Sequence, residues 1–143
     1  MIHDSFAYIS NYVCRESIKN LNKNLSSDEL NSFCYNDYYY LVTIHNLNCP
    51  NFSQIAAELE ITKPAVSVLI RKFIKLGLIE KNQSEKDKRV FHVKLTEKGR
   101  KIVQGDEELY YKLSEHINRL VKNNEQYEMI DSLLSEVVSR LKK

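Results

Sequence analysis

The sequence predicts a mainly α-helical fold with a small β-hairpin wing, in which a winged helix–turn–helix lies between long N- and C-terminal helices. Apolar residues recur at spacings of three and four over most of the 143 residues, which is the period of amphipathic helices. Two short helices lie close together near the middle of the chain, and a basic hairpin follows them directly. The 3 glycines and 2 prolines are too few for a loop-rich fold, and the length suits one domain, residues 1–143.

The first two helices are predicted from apolar stripes. The first helix is long and ends before the polar stretch 26–29, and its stripe consists of Ile2, Phe6, Ile9 and Val13. The second lies within Asp37–Leu47, where Tyr38, Leu41 and Ile44 share one face. The same run also has the propensity to begin a strand, because three tyrosines precede Leu-Val-Thr-Ile, so that alternative stays open.

A helix, a short turn and a second helix follow in the middle of the chain. Asn51 is an N-cap with Gln54 three positions later, which is a variant of the capping box. Thr62 caps the next helix, and Pro64 lies in its first turn, where a missing N–H costs little. The second helix carries its own apolar stripe and stops at Gly77, a residue typical of helix C-termini.

A hairpin and two further helices complete the predicted fold. Residues 78–81 and 89–95 form two strands around a polar loop at 82–88, since apolar and polar residues alternate in the second strand. A long helix begins at Thr96 and breaks at 123–124. The last helix has the clearest apolar stripe, which consists of Ile130, Leu133, Leu134, Val137, Val138 and Leu141.

Composition and motifs exclude several classes of protein. No uncharged apolar stretch approaches the roughly 20 residues of a membrane span, so we expect no contact with a membrane. The first ten residues place Asp4 where a secretory signal carries basic charge, so we expect a cytoplasmic protein. The sequence contains no Gly-x-Ser-x-Gly, no phosphate-binding glycine loop and no His-Glu-x-x-His, so we expect no enzyme and no cofactor.

The basic residues are concentrated in the middle of the chain. The net charge is +2, but residues 62–101 hold 12 basic and 4 acidic groups, against 3 and 7 in residues 1–61 and 6 and 8 in residues 102–143. A basic segment between acidic flanks is the electrostatic pattern of a surface that neutralises phosphates. A solvated lysine-rich face gives the same count, so charge alone leaves both interpretations open.

A winged helix–turn–helix has a second helix sized for the major groove of duplex DNA and a hairpin that reaches the adjacent minor groove. Because the apolar stripe of the second helix faces the core, the N-cap and the residues opposite the stripe are the candidate base contacts. They are Thr62, Lys63, Pro64, Ser67, Val68 and Arg71. Basic groups bond guanine O6 and N7, a serine hydroxyl donates or accepts, and apolar groups contact the thymine methyl. The alternative is an ordinary solvated helix surface.

Five short motifs occur in a fixed order along residues 53–100. They are IAAEL at 55–59, ITKPAVS at 61–67, KLGLI at 75–79, DKR at 87–89 and VKLTEKGR at 93–100. With these motifs, the chain resembles the MarR family of bacterial transcription regulators. The resemblance implies a DNA-binding lobe at 35–101, with dimerisation helices at 1–34 and 102–143.

The end helices carry apolar faces that a single small winged domain cannot cover by itself. The resemblance implies that they intertwine in a homodimer, which places two copies of the second helix at half-sites about one duplex turn apart in a pseudo-palindrome. The alternative is that the same helices close a monomeric bundle.

The resemblance also assigns Arg89 to the tip of the wing, where Asp87 orients its guanidinium for entry into the minor groove. A narrow minor groove carries enhanced negative potential that attracts arginine, and Lys86 and Lys88 add phosphate contacts. The alternative is a surface Asp–Arg pair that contributes less than about 1 kcal/mol to stability. Val68 departs from the family, which often has a longer polar or basic residue at that position.

The function implied is a sequence-specific, double-stranded DNA-binding transcription regulator. We expect a repressor that a small aromatic or anionic effector releases from a pseudo-palindromic operator by shifting a population of conformations. In the family, the effector binds where the dimerisation helices meet the DNA lobe. Tyr38, Tyr39 and His45 are the candidates for such a cleft, although plain core packing explains them equally well.

Two other functions stay open. One is a winged domain that contacts protein or RNA without binding DNA, although such a module has no reason to keep a basic outward row. The other is a redox-sensing regulator that acts through Cys14, since peroxide-sensing relatives place a reactive cysteine near this position. A buried structural thiol is the competing interpretation of Cys14, because Arg15 is the only basic neighbour available to lower its pKa.

The remaining cysteines and histidines predict no metal site. Cys34 and Cys49 form no close-spaced pair with each other or with Cys14, so the three are expected to be free thiols. His45, Cys34 and His116 converge only if the second and fifth helices pack together. The position one turn before His116 is a lysine, so the ligand set is incomplete and we expect no metal.

Overall fold

The computed structural model describes residues 1–142. The elements are α1 (Ile2–Asn24), α2 (Ser27–Ser32), α3 (Tyr35–Asn46), α4 (Phe52–Glu58), α5 (Lys63–Lys75), β1 (Ile79–Gln83), β2 (Phe91–Leu95), α6 (Glu97–Leu120) and α7 (Asn124–Leu141). The two strands pair as one antiparallel sheet. The predicted fold class, mainly α-helical with a single hairpin, is therefore confirmed.

The chain divides into two compact units, Met1–Glu107 and Glu108–Lys143. Helix α6 contributes its first turns to the first unit and its remaining turns to the second. The predicted single domain and its boundaries at 34/35 and 101/102 stay predictions. Within residues 1–142, no helix is long and apolar enough to cross a membrane.

The core of the first unit joins α3, α4, α5, the hairpin and the start of α6. Side chains at most 2% exposed include Leu41, Ile44, Ile55, Val66, Ile70, Phe73, Leu78, Ile79, Val93 and Ile102. Burying one such side chain contributes about 1.5–3 kcal/mol. The inward face of α5 is therefore fixed by packing, and this determines which of its residues face outward.

The helix–turn–helix begins with the caps that the sequence predicts. The Asn51 side chain accepts from the Gln54 N–H at 2.9 Å, and the Gln54 side chain accepts from the Asn51 N–H at 2.8 Å. Thr62 Oγ1 accepts from the Ala65 N–H at 3.3 Å, at the start of α5. The helix ends before Gly77, whose φ of +68° is the left-handed conformation that glycine adopts without strain.

The hairpin pairs Ile79 with Leu95 at its base and Gln83 with Phe91 near its tip. The second strand was predicted from residue 89, but it begins at Phe91, so Arg89 lies in the connecting loop. A bridge between Asn51 and His92 adds a third chain segment beside β2, and it was not predicted.

The structure also differs from the sequence prediction around residues 26–29. These residues were interpreted as a polar break, but Ser26 begins the short helix α2. The Ser26 hydroxyl accepts from the Glu29 N–H at 3.3 Å, and Glu29 Oε2 accepts from the Ser26 N–H at 2.8 Å. The strand alternative for residues 37–47 is wrong, because buried Leu41 and Ile44 pack there as part of α3.

Helix α1 is attached within the first unit through the start of α6. Asn20 Nδ2 donates to the Ile102 carbonyl at 2.7 Å, and the Ser17 hydroxyl lies 2.8 and 2.9 Å from the two carboxylate oxygens of buried Asp106. The helices approach closely beside Gly105, where an added Cβ would lie 2.2 Å from Asn20 Nδ2. The small size of Gly105 is therefore a requirement of this packing.

Each unit leaves large apolar side chains exposed. On α1 they are Ile2, Phe6, Ile9 and Ile18, and on α7 they are Met129, Leu133, Leu134, Val137, Val138 and Leu141. Leu133 is 61% exposed, although it lies in the middle of the apolar stripe that the sequence predicts for α7. Exposed apolar stripes of this kind mark surfaces that contact another molecule.

Candidate nucleic-acid interface

The outward face of α5 carries the predicted base contacts. Lys63, Pro64, Val68 and Arg71 are exposed, and Ser67 between them is half-buried. They are held in place because Val66, Leu69, Ile70 and Phe73 are buried on the opposite face. Thr62 is exposed at the N-cap of α5. Its hydroxyl caps the helix at the end that would enter a groove.

Two hydrogen bonds organise the polar side chains of this face. The Ser67 hydroxyl donates to the Lys63 carbonyl at 3.2 Å, and Arg71 Nε donates to the Ser67 carbonyl at 3.3 Å. The guanidinium of arginine has five N–H donors in a planar fork, and the contact to Ser67 uses one of them. Arg71 is therefore directed along the helix surface with most of its donors still available.

The wing loop, residues 84–90, is a closed turn with basic side chains outside. The Val90 N–H donates to the Asp87 carbonyl at 2.9 Å, and the Ser84 N–H donates to the Val90 carbonyl at 2.8 Å. Gln83 Nε2 adds a bond of 2.6 Å to the Lys88 carbonyl. The exposed side chains of the turn include Lys86, Asp87, Lys88 and Arg89.

Asp87 acts on the backbone of the wing tip. Its Oδ1 accepts a hydrogen bond from the Arg89 N–H at 2.9 Å, and it makes no ion pair with the Arg89 guanidinium. The prediction that Asp87 orients the guanidinium therefore needs correction. The short carboxylate side chain closes a turn onto the amide two residues later, which fixes the position from which the arginine side chain extends.

The carboxylates of residues 1–142 do not neutralise the predicted DNA contacts. Across residues 1–142, the lysines and arginines that form ion pairs are Lys19, Lys72, Lys94, Lys98, Lys101, Arg119 and Arg140. Lys63, Arg71, Lys86, Lys88 and Arg89 are not among them. These five cations keep their charge available for an external anion.

The base of the hairpin carries a cross-strand ion pair. Glu80 and Lys94 face each other in the register, with Nζ and Oε1 2.8 Å apart. The hydrogen bond and the charge of Glu80 raise the pKa of Lys94, and the neighbouring Arg100 opposes that rise. A second cation contact lies nearer the wing tip, where Lys81 Nζ is 4.3 Å from the centre of the Phe91 ring.

The residues predicted for an effector cleft have different surroundings. The Tyr38 hydroxyl donates to buried Asp106, and exposed Tyr39 packs its ring 6.0 Å from that of Tyr40. His45 lines a separate cavity, with Nε2 3.7 Å from a Glu107 carboxylate oxygen. The cavity that contains His45 is not lined by Tyr38 or Tyr39, so the three do not form one cleft there.

The three cysteines are free and exposed. The interpretation of Cys14 as a buried thiol is therefore wrong for this chain, because its helix presents it to solvent. Cys34 is the N-cap residue of α3, and its thiol contacts an Asp37 carboxylate oxygen at 3.0 Å. Among residues 1–142, no group of three or more His, Cys, Asp or Glu side chains is placed to hold a metal ion.

Sequence reasoning missed the pairing of Lys72 with Asp37, in which Nζ and Oδ2 are 2.5 Å apart. Lys72 lies on α5 among the candidate DNA contacts, but its ammonium group forms an ion pair with Asp37 of α3. The sequence analysis also did not predict a cavity beside Cys49. Neither feature has a local sequence signal, since each depends on residues distant along the chain.

Comparison with known proteins shows a similarity to one family over part of the chain. The model described as the MarR family matches residues 35–91. The HTH-type transcriptional regulator BilQ of Clostridioides difficile (strain CD3) is 29% identical over 97 residues, which cover 67% of this chain and 65% of that protein. The match thus spans slightly less than two thirds of the length of the curated relative.

Solved structures support the same fold over nearly the whole chain. Streptococcus pneumoniae FabT in complex with DNA has a TM-score of 0.68 and 24% identity, covering 99% of this chain and 95% of that one. S. aureus MepR bound to ethidium bromide has a TM-score of 0.69 and 21% identity, covering 99% and 96%. The S. aureus MepR–DNA complex has a TM-score of 0.59 and 22% identity, covering 95% and 97%. The motifs, the winged helix–turn–helix and the family model agree over residues 35–91, so this part of the chain is similar to the MarR family.

Proposed function

We propose that this protein is a sequence-specific, double-stranded DNA-binding transcription regulator that acts as a homodimer. The observation that carries the proposal is the row Lys63, Ser67 and Arg71 on the exposed face of α5, together with the basic wing tip. Among residues 1–142, no carboxylate forms an ion pair with Lys63, Arg71 or Arg89. A basic row without internal counter-charges, on a helix sized for the major groove, matches the electrostatic demand of duplex DNA.

The roles of the residues follow from their chemistry. Lys63 and Arg71 donate to guanine O6 and N7, Ser67 donates or accepts, and Pro64 and Val68 offer apolar surface to thymine methyl groups. Thr62 holds the N-terminus of the helix in place. At the wing, Arg89 enters the minor groove while Lys86 and Lys88 contact phosphates.

The exposed apolar stripes support the homodimer. The stripe on α7 is too extended to be left in water without cost, and the stripe on α1 has the same character. In a two-fold dimer each stripe meets a copy of the chain, and the two α5 helices then address half-sites about 34–36 Å apart. The operator is therefore a pseudo-palindrome.

The relatives support this assignment. BilQ is named as a transcriptional regulator, and FabT and MepR have each been crystallised with DNA. We propose that the present chain is a repressor in the cytoplasm, that it acts by binding and not by catalysis, and that it covers promoter DNA. A small effector releases it by favouring a conformation whose α5 spacing does not fit the operator.

Selection of bound duplexes from a random pool tests the proposal directly. We expect an enriched pseudo-palindrome with half-sites one duplex turn apart. Affinity for that duplex is expected to fall steeply with salt, because each neutralised phosphate contributes about −0.9 to the slope of log K against log salt. A pool without enrichment, together with a slope near zero, would mean that the winged domain is an interaction module that does not bind DNA.

Single substitutions then assign the contacts. Lys63→Ala and Arg71→Ala are each expected to cost about 1–3 kcal/mol of binding free energy on the selected duplex and to relax preference at individual base pairs. Lys122→Ala is the matched control, since this lysine is exposed outside α5 and the wing. Equal losses for all three variants would contradict the assigned role of α5.

A further inference from the structure

The wing loop contains a β-turn whose two central residues are Lys88 and Arg89. The Val90 N–H donates to the Asp87 carbonyl three positions earlier at 2.9 Å, and this bond closes the turn. The peptide group between Lys88 and Arg89 is therefore the central peptide of the turn. Its two polar groups, the Lys88 carbonyl and the Arg89 N–H, point in opposite directions because the peptide bond is trans.

Each polar group of this central peptide is bound by a different side chain. Gln83 Nε2 donates to the Lys88 carbonyl at 2.6 Å, and Asp87 Oδ1 accepts from the Arg89 N–H at 2.9 Å. Gln83 belongs to β1 and Asp87 to the loop, so two separate parts of the wing hold the peptide from opposite sides. We call this pair of bonds the peptide clamp, because together they stop the peptide plane from rotating.

The orientation of the central peptide decides where the two basic side chains point. Turns of types I and II differ mainly in this orientation, and type II requires a positive φ at the third residue, which is Arg89 here. Among residues 1–142, Arg89 is not one of those with a positive φ, so the turn is not of type II. A flip of the peptide would change ψ of Lys88 and φ of Arg89. The clamp therefore fixes the direction in which the Arg89 side chain leaves the wing.

The peptide clamp also connects the turn to the part of the wing that is fixed relative to α5. Gln83 forms the last pair of the hairpin, opposite Phe91. Two residues further along β2, the Val93 N–H donates to the Pro50 carbonyl just before the helix–turn–helix. Arg89 is thus tied through Gln83 to the hairpin, and through the hairpin to the helices that carry the predicted base contacts.

We propose that Gln83 is a positioning residue for the DNA contact of Arg89, and that it makes the wing selective for one spacing between an A·T-rich minor-groove segment and the bases contacted by α5. This role rests on the proposed function, whereas the clamp itself does not. A rigid turn presents the guanidinium at one place along the duplex, and one base pair moves the groove by about 3.4 Å. A turn that is free to flip reaches more than one place and loses more conformational entropy on binding.

The clamp is tested first in the free full-length protein, by NMR relaxation of the backbone amides. Gln83→Met keeps the length of the side chain and removes its N–H donors. Asn82→Met is the matched control, since this exposed neighbour in β1 makes no side-chain hydrogen bond within residues 1–142. We expect an order parameter of about 0.85 for the Arg89 amide in the wild type and the control, and of about 0.6 in Gln83→Met. Asp87→Ala removes the other bond and is expected to act in the same direction. Equal values in all four proteins would overturn the clamp.

Duplex binding then tests the positioning role. Two duplexes carry the selected half-sites, and their A·T-rich flank is either in the selected position or moved outward by one base pair. In fluorescence anisotropy, the wild type and Asn82→Met are expected to prefer the selected position about fivefold, which is comparable to the effect of one mismatched base pair. Gln83→Met is expected to reduce this ratio to below about twofold, because a mobile turn follows the displaced groove. In an Arg89→Ala background, Gln83→Met is expected to change neither affinity.

The outcomes separate this inference from the proposed function. An affinity loss in Gln83→Met that is equal on both duplexes, or that persists without Arg89, would show a general weakening of the hairpin and would overturn the positioning role. Duplex binding without a preferred flank position in the wild type, or with the same preference in Gln83→Met, would reject the inference alone. A wild type that binds neither duplex would contradict the proposed function and with it the positioning role, while the order parameters still decide whether the clamp exists.

Discussion

Lys72 Nζ lies 2.5 Å from Oδ2 of Asp37 and joins the last turn of α5 to the first turn of α3. The Asp37 side chain is only 4% exposed, and the same oxygen accepts from the Cys34 backbone N–H at 2.6 Å. A carboxylate that is taken out of water needs such partners. One cation of α5 thus positions the helix on the core, while its neighbours Lys63 and Arg71 remain available to DNA.

Loss of the Lys72 charge is expected to destabilise the fold. Lys72→Gln leaves buried Asp37 with fewer donors, so the free energy of unfolding is expected to fall by about 1.5–3 kcal/mol in urea titrations. Lys72→Arg keeps a cation there and is expected to retain most of the stability. Lys75→Gln is the control, because this exposed lysine forms no ion pair within residues 1–142, and a change below about 0.5 kcal/mol is expected. Equal effects at positions 72 and 75 would rule out the positioning role.

The close approach of α1 to α6 gives a second prediction. Alanine is favoured over glycine inside a helix by about 1 kcal/mol, but a Cβ at Gly105 would displace the Asn20 side chain from its bond to the Ile102 carbonyl. Overpacking of this kind costs about 1–3 kcal/mol, so we expect Gly105→Ala to lower the free energy of unfolding. The effect is expected to disappear in an Asn20→Ala background. Thermal unfolding of the four proteins in this cycle measures it, and an unchanged loss in that background would be the contrary result.

The stability of the fold is expected to depend on pH through Glu29, which joins α2 to α6. The hydrogen bond from Lys98, 2.5 Å long, and then that from the Ser26 N–H hold the pKa of Glu29 below its ordinary value of 4.5. A carboxyl whose folded pKa is lowered contributes stability above its unfolded pKa and loses it as the pH falls through the folded value. We therefore expect stability to fall less between about pH 6 and pH 3 in Glu29→Gln than in the wild type.

The control for this pH dependence is Glu85→Gln, since Glu85 is an exposed carboxylate of the wing loop that pairs with no cation in the described part of the chain, residues 1–142. Its urea midpoint is expected to follow the wild-type pH profile. Glu29→Gln keeps an oxygen that accepts from the Ser26 N–H, so the capping of α2 is preserved while the charge and the hydrogen bond from Lys98 are removed. Parallel profiles for the wild type and Glu29→Gln would contradict the prediction.

At the wing, Asp87 and Arg89 are expected to respond differently to substitution. Arg89→Ala removes the cation that we propose for the minor groove, so binding is expected to weaken most on operators with A·T-rich flanks and to keep its central base preferences. Asp87→Ala releases the Arg89 backbone and is expected to weaken binding less. Asp87→Asn keeps an oxygen acceptor for that amide and is expected to resemble the wild type more closely.

Fluorescence anisotropy with duplexes that differ only in their flanks measures these three variants. Equal loss for Arg89→Ala on A·T and G·C flanks would return Arg89 to the role of a solvated surface charge. A loss for Asp87→Asn as large as that for Asp87→Ala would show that the negative charge, and not the turn, is what matters at this position.

The apolar stripe of α7 predicts the oligomeric state. Light scattering at micromolar concentration is expected to give the mass of a dimer. Leu133→Glu combined with Val137→Glu is expected to shift the mass toward a monomer, because both side chains lie in the exposed stripe. Ser132→Glu is the control on the opposite side of the helix and is expected to stay dimeric. A monomeric wild type would refute the stripe as an interface.

The sequence was sufficient for the helix–turn–helix and the hairpin because their signals are local. The caps at Asn51 and Thr62 and the alternation in β2 each depend on neighbours within a few positions. Helix α2 was missed because six residues show too little periodicity to be recognised, although Ser26 and Glu29 form a capping box. That motif was the available signal.

Contacts between residues that lie far apart along the chain could not be predicted from local sequence signals. Tyr38 was assigned to an effector cleft by its residue type, but its hydroxyl is bonded to Asp106, which lies 68 positions away. Asp87 was expected to orient the Arg89 guanidinium because the family resemblance implies that role. The turn instead brings the Asp87 carboxylate to the backbone amide of Arg89. The types of the side chains alone do not show which of these two partners the carboxylate takes.

The segment before α4 is bonded to the wing. The Val93 N–H donates to the Pro50 carbonyl at 2.9 Å, and Asn51 bridges to His92, so β2 is held on one edge by β1 and on the other by the start of the helix–turn–helix. The base of the wing therefore keeps a fixed register relative to α5, while the loop 84–90 lies beyond these anchors. On the proposed function, we expect insertions or deletions in that loop to alter how far the protein extends along a duplex without changing which bases α5 contacts. The length of the footprint and the bases contacted by α5 would then be encoded in separate parts of the chain, and each could change without the other.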